Sequence, residues 1–293
     1  MGRVFAMNGF TNINIRNISP DSMNRNKSTD TREWSRKLRD LISKTELFLK
    51  TAPEGSVWSS KRNNGTFQYY YVQPGTRTRV FIRQNDMSIA RELAQKKYVF
   101  MLNRMAIRGM NSLKMTEIFT EEDLYRIYDE AYYQLSEGLR ILVKPWKEPR
   151  DVFLETWASQ TYEPLEHMGR ERTQVSDRGE MMGSKSEVLI GNTFNRRNIE
   201  YHYEKPLLLK KNKMFRPDFT LMNIYSRREL FWEHLGIVDN EHYASNAMKK
   251  LMIYEQNDIF INDRLILTYE TANDPLNLRT INEIIDQIEY MLK

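Results

Sequence analysis

Apolar residues recur at helical spacing in Trp34, Leu38, Leu41, Ile42, Phe48 and Leu49, which predicts a helix from an Asp30 N-cap to about Thr51. Pro53 and Gly55 stop it. The period then shortens: Ser56 to Lys61, Phe67 to Gln73 and Arg77 to Arg83 read as three antiparallel strands separated by Asn63-Asn64-Gly65 and Pro74-Gly75 turns. Asp86 caps a second long helix that carries Ile89, Leu93, Ala94, Met101, Leu102 and Met105, with Arg91, Lys96, Lys97, Arg104 and Arg108 over its other positions. Thr120-Glu121-Glu122-Asp123 approximates a capping box, so a further helix is expected from Thr120 to about Val143, ending before Pro145 and bridging two halves of the chain. Residues 147 to 183, with Pro149, Pro164, Gly169, Gly179 and Gly183, are poorly periodic and read as a connector with short helical pieces.

The last third is more regular. Ser184 opens a helix with Val188, Leu189, Ile190 and Phe194. Extended segments follow at about Glu200 to Leu209, Phe215 to Leu221 and Glu229 to Leu235, with a Lys210-Lys211-Asn212 turn between the first two. A helix from Glu241 to Gln256, a β-rich Arg264 to Thr268, and an amphipathic helix from Leu278 to Leu292 complete the order αβββαβα. The fold class expected is α/β, α+β overall. The expected divisions are a flexible basic arm at 1–29, a helix, three-stranded sheet and helix module at 30–115, a helical connector at 116–183 and a C-terminal domain at 184–293.

Composition narrows the chemistry. The chain has no cysteine, which removes disulfides, thiolate zinc sites and thiol nucleophiles. No apolar run reaches signal-peptide or membrane-spanning length, so a cytoplasmic location is expected by elimination, and Ala6 in place of Ser or Thr argues against myristoylation. The net charge of +5 hides an asymmetry: up to Met115 there are 21 Lys and Arg against 8 Asp and Glu, and 23 against 31 thereafter. The front half looks built to meet a polyanion, or simply carries a solvated basic surface.

Three acidic residues occupy telling places. Glu187 lies in the first turn of the helix opened by Ser184, Asp218 in Arg216-Pro217-Asp218-Phe219 at the start of the second extended segment, and Glu233 in Phe231-Trp232-Glu233-His234-Leu235-Gly236 on the third. Neighbouring strands can bring the last two together, and hard divalent cations such as Mg2+ or Mn2+ are held by carboxylate oxygens while lowering the pKa of a bound water. Each has a plainer reading: Ser184-Lys185-Ser186-Glu187 is also a capping box, Asp218 follows a proline as turn residues do, and lysines on the following helix are commonly solvated. A carboxylate inside an apolar strand is nonetheless costly unless paired or metal-bound. His234 is set to face the side opposite Glu233, which leaves its backbone carbonyl as the nearer metal ligand. His242, His202 and His167 show no ligand spacing.

In this order the segment resembles the PD-(D/E)XK nuclease superfamily. Pro217-Asp218 matches its PD, Glu233 its second acidic residue, and Glu187 the helical glutamate of many members. The resemblance implies a restriction-endonuclease-like αβββαβ core over 184–293, a Mg2+- or Mn2+-dependent phosphodiesterase, and DNA as substrate, double-stranded in preference. One position departs: Leu235 stands where the motif lysine belongs and cannot stabilise developing charge. The resemblance then looks to Lys250, or Lys249, on the following helix. If neither reaches the acidic pair, the implied alternative is a nuclease fold that binds DNA without cutting it, and after that a protein-interaction adaptor with a basic face.

In the N-terminal module Tyr69-Tyr70-Tyr71 lies near Lys61, Arg62, Arg77 and Arg79, with Lys96 and Lys97 on the second helix. Lys61, Arg62, Tyr69, Tyr71, Arg77, Arg79, Lys96 and Lys97 form the expected nucleic-acid contacts, with sheet packing as the competing role for the tyrosines. Three strands followed by a helix is similar, in topology, to the arm-type DNA-binding domains of tyrosine recombinases, which implies a sheet laid in the major groove.

Overall fold

A computed structural model describes residues 31–163 and 174–293. The basic arm of 1–29, the Asp30 cap, Pro164, His167 and Gly169 lie outside the described residues. The chain forms two compact units: one runs to Ser159 and takes in Ile224–Arg227, and the other comprises Gln160–Asn223 and Arg228–Lys293. Among the described residues no helix is long and apolar enough to cross a membrane.

In the first unit α1 (Thr31–Thr51) precedes a three-stranded antiparallel sheet, β1 (Ser56–Lys61), β2 (Phe67–Val72) and β3 (Arg79–Phe81), in that spatial order. The 30-residue α2 (Met87–Thr116) buries Leu93, Ala94, Tyr98, Val99 and Leu102 against Leu38 and Leu41 of α1 and Val57 and Tyr69 of the sheet. α3 (Glu121–Tyr133) begins on the expected capping box: Thr120 accepts from the Asp123 N–H, and Asp123 accepts from the Thr120 N–H at 2.9 Å.

The helix expected to continue to Val143 breaks instead. Ser136 is extended, and a separate short helix, α4 (Glu137–Arg140), follows. The break lets the backbone meet the sheet. A Cβ on Gly138 would lie 2.6 Å from the Phe67 ring, and the Tyr69 hydroxyl donates to the Gly138 carbonyl at 3.0 Å. Phe119, Ile127, Ala131, Leu135, Leu139 and Val143 are buried in the same core as α1 and α2. The part of the expected connector up to Ser159 therefore belongs to the first unit, where the apolar face of α3 is covered by α2, and the remainder from Gln160 belongs to the second. α5 (Arg150–Ala158) completes this unit.

The second unit begins before Ser184, with a small hairpin of β4 (Gln174–Val175) and β5 (Met181–Met182) whose Met182 enters the core beside α6 (Lys185–Arg196). The segment expected as one strand from Glu200 to Leu209 is two, β6 (Tyr201–Tyr203) and β7 (Leu207–Leu209), parted where Glu204 adopts φ 49°. β7 pairs with β8 (Lys213–Phe215) through the Lys210–Asn212 turn, and β6 pairs with β9 (Phe219–Asn223). β10 (Arg228–Leu235), α7 (Glu241–Gln256), β11 (Leu265–Tyr269) and α8 (Leu278–Leu292) follow. The four-stranded sheet has the order β11-β10-β9-β6, antiparallel except for the β10/β11 pair, which α7 connects.

Strand alternation divides this unit into two layers. Phe219, Leu221, Leu230 and Trp232 face α6 and α8 and pack on Phe194, Ile281 and Ile285. Phe231 and Leu265 face the other way, against Tyr254 of α7. The architecture is mixed α/β, with a sheet whose two sides are covered by different helices.

Candidate functional site

In the β9/β10 register Trp232 opposes Phe219, so one further step sets Glu233 opposite Asp218, just ahead of β9, on the α7 side. Their carboxylates converge on one ammonium. Lys250 Nζ lies 3.3 Å from Asp218 Oδ1 and forms a close ion pair with Glu233 Oε2. Tyr254 donates from its hydroxyl to the other Glu233 oxygen, and the His234 N–H donates to Asp218 Oδ2 at 2.7 Å. Lys250 and Tyr254 are four residues apart on α7, one above the other on a single face, which is why one helix serves both. Lys249 is exposed and makes no part of the group.

The electrostatics follow from burial. Glu233 is 0% exposed. Burial and the charge of Asp218 push its carboxyl well above the usual range, against the opposing pull of Lys250 and of the Lys250 and Tyr254 hydrogen bonds. For Lys250 burial works against the charged form but is outweighed by Asp218 and Glu233, which push the ammonium up to about 12. Tyr254 is held far above its ordinary value by burial and then by Glu233. Its ring stacks on Phe231 at 6.2 Å and meets Phe215 edge-on at 5.1 Å, so an apolar floor lies under the charged group.

Asp218, Glu233 and Lys250 are thus brought together. Glu187 is not part of their contacts: it accepts from the Gly183 N–H at 3.0 Å, the Tyr203 hydroxyl at 2.6 Å and the Ser184 hydroxyl at 2.8 Å, while Ser184 accepts from the Glu187 N–H. These contacts match the capping role that its position also allowed. Among the described residues no group of three or more His, Asp or Glu side chains is placed to hold a metal ion.

The His234 side chain does face away from Glu233, with Nδ1 3.1 Å from Thr268 Oγ1 and Nε2 3.5 Å from Glu270 Oε1. Its backbone N–H donates to Asp218. Tyr254 and Glu270 were not foreseen. Tyr254 was legible as the i+4 partner of Lys250; Glu270, past the end of β11, carried no local signal.

The expected nucleic-acid contacts of the first unit sort by strand parity. Tyr69 is buried in the core, and the half-buried Tyr71 packs against that core with its ring beside Gly55, where a Cβ would come within 2.4 Å, which matches the sheet-packing role their positions also allowed. The outward tyrosine is Tyr70, beside Trp58 at 5.5 Å and Phe81 at 5.8 Å. Lys96 donates to the Pro53 and Gly55 carbonyls at 2.7 and 3.3 Å, tying down the turn after α1. Lys61 pairs with Glu137 at 3.0 Å. Arg62, Arg77 and Arg79 are exposed and Lys97 is half-buried.

Comparison with known proteins adds little to this geometry. No family model and no solved structure matches the chain. An uncharacterized protein of Methanocaldococcus jannaschii is 39% identical over 88 residues, 29% of this chain. The matched stretch spans 7% of that archaeal protein's length.

Proposed function

We propose that the second unit is a divalent-metal-dependent phosphodiesterase of the PD-(D/E)XK type acting on DNA. The observation that carries the reading is the convergence of Asp218 and Glu233, from neighbouring strands, on Lys250 from the helix that follows. The reading is supported by a preceding helix, antiparallel strands and a parallel β10–α7–β11 crossover around this group, with the separate β7/β8 hairpin as an addition to the αβββαβ order that the resemblance implies.

The residues fit a hard cation in one respect that can be tested on this geometry. A buried carboxylate with a strongly raised pKa and a second carboxylate opposite it already share a positive charge, that of Lys250. A divalent ion would be held by Asp218 and Glu233, the two carboxylates whose negative charge Lys250 now answers. When bound, such an ion supplies a water of lowered pKa and polarises a phosphoryl oxygen. Lys250 then contributes a fixed positive charge beside the transferring phosphate, in place of the lysine that Leu235 displaces. The His234 N–H orients Asp218, and Tyr254 orients Glu233.

A second reading has its own support: the three charges satisfy one another, Glu187 is engaged as a cap, and among the described residues no third acidic ligand joins the pair. This is what a nuclease fold that binds DNA without turnover would show. Incubation of plasmid and single-stranded DNA with Mg2+ or Mn2+ separates the two. The phosphodiesterase reading expects cleavage that Asp218→Ala abolishes. A parent that shifts DNA in a salt-dependent way but never cuts it with either ion rejects that reading in favour of the second.

A further inference from the structure

The first unit carries a cavity of about 540 Å³ that the proposed phosphodiesterase does not use. Its walls come from the end of α1, the strands β1 to β3 and one face of α2, with Leu49, Val57, Leu93 and Met101 among its apolar lining. Four cations also line it, Arg77, Arg79, Lys96 and Lys97, and no acidic residue does. Lys96 is committed to the Pro53 and Gly55 carbonyls. Arg77 and Lys97, in contrast, make no hydrogen bond or ion pair among the described residues. Two aromatic side chains stand at the wall, Trp58 at 38% and Phe100 at 47% exposure, and the Arg79 guanidinium lies 3.9 Å over the Trp58 ring.

We infer that this cavity is a binding site for single-stranded nucleic acid, taking an unstacked base against Trp58 and Arg79 and the flanking phosphates at Arg77 and Lys97. An anionic ligand is favoured, because unpaired cations with no carboxylate among them attract negative charge and repel positive charge. It must also present a flat apolar face. An indole overlaid by a guanidinium is a planar, charged platform of the kind on which nucleobases stack, and stacking serves any base because every base has a π-face. Duplex DNA answers the charge but not the aromatics, since its bases are stacked inside. The turning inward of Tyr69 and Tyr71 removes them from the sheet surface that a major-groove mode would use. An acidic peptide or an anionic lipid surface would satisfy the cations and leave the Trp58 platform without a planar partner.

The inference does not rest on the phosphodiesterase reading, and its test excludes cleavage. With the full chain in EDTA, binding of a fluorescein-labelled oligothymidylate of about ten nucleotides, within the span of known single-strand sites, is followed by anisotropy. Trp58→Ala is expected to weaken it about tenfold, as loss of one stacking contact does, and Trp58→Phe to restore most of the affinity. An abasic oligonucleotide of the same length should bind the parent about as weakly as oligothymidylate binds Trp58→Ala. Arg77→Ala with Lys97→Ala should weaken both oligonucleotides. Both residues are spared structural bonds, so circular dichroism should be unchanged, and this pair decides the matter if Trp58→Ala unfolds. The inference is overturned if oligothymidylate and the abasic chain bind alike, or if a duplex, poly-glutamate or phosphatidylglycerol vesicles bind more tightly than oligothymidylate. Unchanged affinity in a folded Trp58→Ala variant, or in the double variant, would also overturn it.

Discussion

Lys250 holds two carboxylates at once, and one of them is fully buried. Removing the ammonium leaves Glu233 with only a tyrosine hydroxyl against Asp218, and breaking a buried ion pair on one side costs more than never having made it. Lys250→Met is therefore expected to destabilise the second unit by up to about 3 kcal/mol, discounted from the fully buried case because Lys250 is partly exposed. Glu233→Gln added to it should recover most of the loss, since an amide needs no counter-charge. Denaturant unfolding of the two variants checks this, and a double variant no more stable than Lys250→Met would contradict it. In DNA cleavage Lys250→Met should lose about 10²- to 10³-fold in rate, the usual effect of deleting a preorganised positive charge. At this scale the acidic pair was legible because a carboxylate within an apolar run has few bland explanations. The choice between Lys249 and Lys250 was not legible from charge alone. It is decided by Tyr254, whose ring must meet Phe231 and so fixes which face of α7 turns to the sheet.

Helices and strands fix what a single residue can reach. α6 carries Glu187 in its first turn, where three donors converge on the carboxylate and the helix N-terminus favours negative charge. Glu187→Gln keeps an acceptor there and is expected to cost about 1 kcal/mol in stability, as the loss of charge from such hydrogen bonds does, while cleavage proceeds at the parental rate. A variant of unaltered melting temperature that no longer cuts would instead assign Glu187 to the metal. The capping motif was visible in Ser184-Lys185-Ser186-Glu187, and so were α3 and α7 from their periodicity and first turns. Strand parity was harder. Tyr69-Tyr70-Tyr71 gives no alternation to read, so the inward-facing Tyr69 and Tyr71 and the outward-facing Tyr70 exchange roles. The break at Ser136 was hidden for a related reason: the close approach of Gly138 to Phe67 depends on residues about seventy positions apart in the chain, which no local pattern encodes.

At the scale of the whole molecule, the succession α6, β9, β10, α7, β11, α8 in the second unit could be read from the sequence, whereas its β4/β5 and β7/β8 hairpins and the extent of the first unit could not. The first unit is the harder case. Its boundary depends on whether the face of α3 is covered, and the covering residues lie on α2, far from any linker signal. With the acidic pair in one unit and the basic cavity in the other, binding and turnover should be separable by mutation. Asp218→Asn is expected to abolish cleavage and leave oligothymidylate affinity at the parental value. Trp58→Ala should raise KM for a single-stranded substrate about tenfold, the loss of one stacked base, with kcat unchanged, because the lost contact is made equally in ground state and transition state. Steady-state cleavage across a range of substrate concentrations reads both constants from one experiment. A fall in kcat with KM constant would mean that Trp58 acts on the reacting phosphate, and the division of labour between the two units would have to be abandoned.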